Sequence, residues 1–187
     1  MKTIRRLTPF LLVLLVALGC KSADVMPAER DMFVRGADLS ELGIEVREPE
    51  KYEKYSKTAY FDGSVDIEYE FEPPESEAVI YLTQTITYEP KKADARLGRA
   101  AEDGVIGLAL KAQGLEKVEI PNFYKYGDAS DFYILKKDGN NVGNYFTVLE
   151  GGKIFSLLVS GVYIDNVETW RNLVEPKLKL FSAYNKK

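Results

Sequence analysis

The chain has 187 residues, with 25 Lys and Arg against 29 Asp and Glu, a formal net charge of −4, one cysteine and no histidine. Without histidine or a second cysteine it cannot build a Ser-His-Asp or Cys-His catalytic set, a His/Cys zinc site, a histidine-ligated haem or an internal disulfide. Its acidity argues against nucleic acid as a partner, because phosphate backbones are held by cationic surfaces.

The amino terminus carries Lys2, Arg5 and Arg6, then an apolar run from Phe10 to Leu18, then Gly19 and Cys20. A basic start, a short apolar run and a small residue make a secretory signal, and the run is short for a bilayer span. The stretch Ala17-Leu18-Gly19-Cys20 resembles the lipobox of bacterial lipoproteins, with Ala17 where that family most often has leucine. The resemblance implies a diacylated Cys20 as the lipid attachment site, cleavage just before it, and anchoring in the cell envelope without crossing the membrane. Two or more acyl chains hold a protein stably where one does not. Lys21 in place of aspartate points to the outer rather than the inner membrane. The plain alternative is an ordinary cleaved signal with a cysteine nearby.

Residues 1–19 are thus expected to be a signal peptide, 20–30 an acylated end and polar tether, and 31–187 one globular domain. Within that domain 38–42 reads as a helical turn ended by Gly43, and 44–47 as a short strand. Residues 57–61 and 65–71 around Asp62-Gly63 read as a hairpin. In its second arm Val65, Ile67, Tyr69 and Phe71 alternate with Asp66, Glu68, Glu70 and Glu72, the period of a strand with one buried face. Residues 79–88 form the next strand and Pro90 closes it. From 92 to 113 Ala93, Leu97, Ala101, Val105, Leu108 and Ala112 recur at spacings of three and four, which predicts a helix with this stripe against the core. Gly98, Gly104 and Gly107 within it imply close packing or a bend. Residues 118–120 are a short strand, and 131–136, 142–149 and 153–163 an antiparallel meander with turn chemistry at Asp138-Gly139 and Gly151-Gly152. Asp165 or Asn166 caps a last helix whose Val167, Trp170, Leu173, Val174, Leu178 and Phe181 face inward, with Pro176 expected to kink or split it.

This order predicts an α+β domain, a mostly antiparallel sheet flanked by helices. The order of elements across 57–184 resembles the PsbP/Mog1-like fold, an α/β/α sandwich. Where roles are understood in that superfamily, most are binding or assembly roles, and the likeness transfers no residues.

Two clusters are candidate partner-binding surfaces. Asp66, Glu68 and Glu70 place carboxylates about 7 Å apart on one strand face, suited to a basic partner; the plain alternative is a charged outer face protecting an edge strand. Phe123, Tyr124 and Tyr126 follow Pro121 in a loop, and aromatic loops suit recognition as readily as core filling. Asp138-Gly139-Asn140-Asn141 has the composition of a calcium loop without its closing glutamate, so a plain turn is expected and no metal or cofactor. Ser156 or Ser160 with Lys153 forms a Ser-Lys pair on paper only. The sequence reads as a lipid-anchored, non-catalytic binding or assembly module for another envelope protein. A carboxylate-based glycan hydrolase and a purely structural surface lipoprotein are the alternatives.

Overall fold

The computed structural model describes residues 21–46, 49–74 and 80–184; the expected signal segment, Cys20 and the expected strand start at Val79 lie outside the described residues. The elements are β1 (Lys21–Ser22), α1 (Pro27–Arg30), α2 (Gly36–Glu41), β2 (Glu53–Ala59), β3 (Val65–Phe71), β4 (Tyr81–Tyr88), α3 (Lys92–Ala112), β5 (Glu116–Glu119), β6 (Ala129–Lys137), β7 (Asn140–Glu150), β8 (Lys153–Ser160) and α4 (Val167–Ala183). The eight strands form one antiparallel sheet in the order β1-β2-β3-β4-β8-β7-β6-β5. The chain is an α+β protein.

Turn chemistry sets this topology. Asp138 and Gly139 both take positive φ, 50° and 81°, as a two-residue hairpin turn between β6 and β7 requires. Gly152 follows Gly151 in the next turn, and a side chain there would meet the Glu89 carbonyl at 2.6 Å. That carbonyl belongs to the residue whose own N–H donates to Gly152 O at 2.7 Å.

The main core lies on one face of the sheet, under α1, α2 and α4. Val65, Ile67, Tyr69 and Phe71 of β3 are buried there, as their alternation predicts. Trp170 of α4 meets Phe132 and Phe146 edge-on, with ring centroids 5.0 and 5.7 Å away. Asn166 caps α4 by accepting from the backbone N–H groups of Glu168 and Thr169 at 2.9 and 3.0 Å. The helix runs through Pro176 as one element, so of the expected kink or split the split does not occur. Trp170, Leu173 and Val174 before the proline and Leu178 and Phe181 after it are all buried, so packing on both sides outweighs one missing backbone bond.

Two buried amides fasten loops to this face. Gln84 Oε1 accepts from Val34 N at 2.9 Å while its Nε2 donates to Val34 O. Asn144 does the same for Ile164, at 2.8 and 3.2 Å. Pairing both the N–H and the C=O of one residue leaves neither of these backbone groups unsatisfied.

The segment after Cys20 is no free tether. β1 pairs with β2, Val25 joins the core, and the buried Glu29 accepts from Lys57 Nζ at 2.6 Å, Tyr184 Oη at 2.7 Å and Met26 N at 2.8 Å. Burial alone would raise the Glu29 pKa, but these bonds and the Lys57 charge outweigh it and hold the carboxyl below its ordinary value. Residues 44–46 form no strand.

The largest departure concerns α3. It lies on the opposite face of the sheet, over β5, β7 and β8, and the residues it buries are Ala95 and Leu110. Leu97, Val105 and Leu108 of the expected inward stripe are instead 72%, 54% and 72% exposed. The surface beneath explains the rotation. Arg99 is paired with Asp131 of β6 and Asp103 with Lys117 of β5. Ala95 meets Leu149 and Ile154, and Leu110 meets Leu135, Tyr145 and Leu158. A partly polar sheet surface selected the more polar side of the helix.

Candidate functional site

The α3 side of the sheet carries a straight polar row set by strand register. Ser56, Glu68, Thr85, Ser156, Thr147 and Asp131 stand opposite one another on β2, β3, β4, β8, β7 and β6. On either side of it run Lys54-Glu70-Thr83 and Thr58-Asp66-Thr87. Among the described residues no helix packs extensively on the part over β2, β3 and β4, while α3 covers the part over β8 and β7. The site is therefore half open floor and half covered slot.

On the open floor Asp66 accepts from Tyr60 Oη at 2.9 Å and Thr87 Oγ1 at 2.7 Å, and Glu68 accepts from Ser56 Oγ at 2.8 Å. Burial raises the Glu70 pKa; Lys54 opposes this, and Glu68 and Glu72 add to it. Among the strand residues pointing to this side from β2, β3 and β4, Lys54 is the one cation, and it pairs with Glu72 at 3.3 Å. β3 is an interior strand, so these carboxylates do not serve the expected edge protection.

Glu102 of α3 enters the covered slot. Burial pushes its carboxyl up to about 7, with the charges of Asp66 and Asp103 adding to the rise and Ser156 and Arg99 opposing it. Ser156 is within interaction range of both Glu102 and Tyr145. Yet Ser156 Oγ, Tyr145 Oη and Thr147 Oγ1 are buried without a well-aligned hydrogen-bond partner. Beside the amino-terminal end of α3 a cavity of about 440 Å³ is lined by Asp62, Glu89, Asp94 and Leu97. Burial raises the Glu89 pKa, and the charges of Asp62, Asp66 and Asp94 raise it further. Among the described residues no group of three or more Asp, Glu or Cys side chains converges to hold a metal ion.

The aromatic cluster lies on the other side of the sheet and does not join this site. Phe123 stacks on Phe132 with centroids 4.0 Å apart, Tyr124 is buried against Phe146, and Tyr126 Oη bonds Ser182 Oγ at 2.9 Å. Burial, then the charge of Glu175, pushes the Tyr124 hydroxyl up to about 12. A shallow cavity of about 480 Å³ remains between this loop and Arg171 and Glu175 of α4. Lys153 is far from any role with Ser156. Its Nζ donates to the carbonyls of Phe181 and Ser182 at 2.7 Å on the α4 side, whereas Ser156 faces α3. Cys20 lies outside the described residues.

Asp66, Glu68 and Glu70 were legible in the sequence; Glu102, Glu89 and Thr85 were not, and Ser156 stood out only as a partner for Lys153, which the structure places on the other side of the sheet. The alternation of threonines at 83, 85 and 87 was the available signal for the floor. Fold and site together define an α+β domain with one half-face of its antiparallel sheet open and acidic. No family model, curated protein or solved structure matches the chain.

Proposed function

We propose that this chain is a lipid-anchored envelope protein whose domain docks a basic segment of another envelope protein on the open half-sheet, as a binding or assembly module without turnover of its own. The observation that carries this reading is the uncovered floor, where Asp66, Glu68 and Glu70 stand in line with a single lysine among the residues facing them. Aligned like charges steer a cationic partner and make its capture sensitive to salt. A photo-crosslinking residue in place of Thr85, at the centre of the floor, should capture one partner in the native envelope. Capture should fall with Asp66→Asn, Glu68→Gln and Glu70→Gln combined. The same products from a probe at Lys137, or no specific product, would remove this reading.

The anchor rests on Ala17-Leu18-Gly19-Cys20. Cys20→Ser should release the folded domain from the membrane fraction, and retention of the variant there would end the anchoring proposal. The Glu89 cavity favours a second reading, the carboxylate-based glycan hydrolase, since a carboxyl with a raised pKa is what a general acid requires. Release of reducing ends from purified envelope glycan by the wild-type chain, abolished in Glu89→Gln, would establish that reading in place of docking alone.

A further inference from the structure

The outer face of α3 has an internal mirror. Read from its amino-terminal end, one stripe of exposed uncharged residues runs Ala93, Leu97 and Ala101; read from its carboxy-terminal end it runs Ala112, Leu108 and Gly104, at the same spacings. Ala100 mirrors Val105 in the same way. One pair of charges at the two ends of this stripe obeys the mirror with opposite sign: Asp94 stands one residue inside Ala93, and Lys111 one residue inside Ala112. All of these residues are exposed, and a side chain added at Gly104 would point into open space.

We propose that α3 packs antiparallel against α3 of a second copy of this chain, about a two-fold axis passing between Glu102 and Asp103. A two-fold interface requires one patch to complement itself, so that contacts recur in exchanged order. Here Leu97 meets Leu108 of the second copy, Ala101 meets Gly104 of the second copy, and Asp94 faces Lys111 of the second copy, each contact occurring twice. A parallel pairing would set Asp94 against Asp94 and Lys111 against Lys111. A foreign helix would have no need of the mirror. Ala101 and Gly104 at the centre let the two helices approach closely, and Leu97 and Leu108 close over both ends. One helix pair lies at the small end of specific interfaces, so the dimer is reversible and depends on concentration.

The test uses the full chain in its native membrane. Two differently tagged copies are co-expressed, one carrying Leu97→Cys and the other Leu108→Cys, and oxidised. The mixed crosslink should dominate, because like positions lie about 16 Å apart along the paired helices at 1.5 Å per residue. Asp94→Lys or Lys111→Asp alone, in every copy, should lower the crosslinked fraction about fivefold, and the two together should restore it. Dominant crosslinks between like positions, crosslinks to a different protein, no crosslink at all, or single charge variants that behave as wild type would each overturn the proposal.

Discussion

Replacing Glu102 by glutamine should remove a pH dependence from the stability of the fold. A carboxyl that titrates at about 7 when folded and near the model-peptide value of about 4.3 when unfolded binds its proton more tightly in the native state. Its contribution is therefore fully favourable below the unfolded value and is lost as pH rises towards and past 7. The ceiling of the loss is about 3 to 4 kcal/mol; the Glu102 side chain is only part-buried, which reduces this to about 1–2 kcal/mol through solvent screening. Glutamine keeps the shape of the protonated carboxyl and cannot ionise. Urea denaturation of both proteins between pH 5 and 8.5 should give nearly equal stabilities at the acid end. The variant should be the more stable by about 1–2 kcal/mol at the alkaline end. A difference that stays constant across this range would refute the placement of Glu102 over Ser156 and the polar row.

The orientation of α3 is tested by two substitutions. Leu97→Ser, on the exposed face, should change stability by less than about 0.5 kcal/mol in dilute protein, whereas Leu110→Ala should cost about 2–4 kcal/mol; the reverse ranking in denaturant melts would mean that the helix is turned the other way. Gln84→Leu strands the N–H and C=O of Val34 and should cost about 2–4 kcal/mol, measured in the same way, with hydrogen exchange at Val34 accelerated. Glu29 has a depressed folded pKa, so its contribution is present above the unfolded value and lost as pH falls through the folded one. Glu29→Gln should accordingly flatten the acid limb of the stability curve below about pH 4.5, and an unchanged acid limb would count against the cluster with Lys57 and Tyr184.

The strands were legible where one face is buried and the other wet. β3 alternates because its partner layers differ in polarity, and the hairpin turns announce themselves through Asp138-Gly139 and Gly151-Gly152. α3 was legible as a helix but not in its rotation. Periodicity locates an apolar stripe, and only the chemistry of the surface beneath decides whether that stripe turns inward. Here Asp131, Lys117, Ser156 and Thr147 lie beneath, contributed by four strands, and their meeting is a matter of register. The polar row is hidden for the same reason, since its six members come from six strands with no shared motif. The segment 21–30 looked like a tether because its anchoring points are one valine and one glutamate, and the partners that bury Glu29 are Lys57 and Tyr184, far along the chain.

The docking of Lys21 and Ser22 as the outermost strand bears on how the molecule would meet a bilayer. If the proposed acyl chains are carried by Cys20, immediately before Lys21, the leash would have no slack, and the domain would stand on its β1 rim rather than swing above the lipid. Seven strand spacings of about 4.8 Å would then lift the β5 rim roughly 34 Å clear of the headgroups. α3 and its leucines would ride on that upper half, level with the same helix on any neighbour planted in the same leaflet.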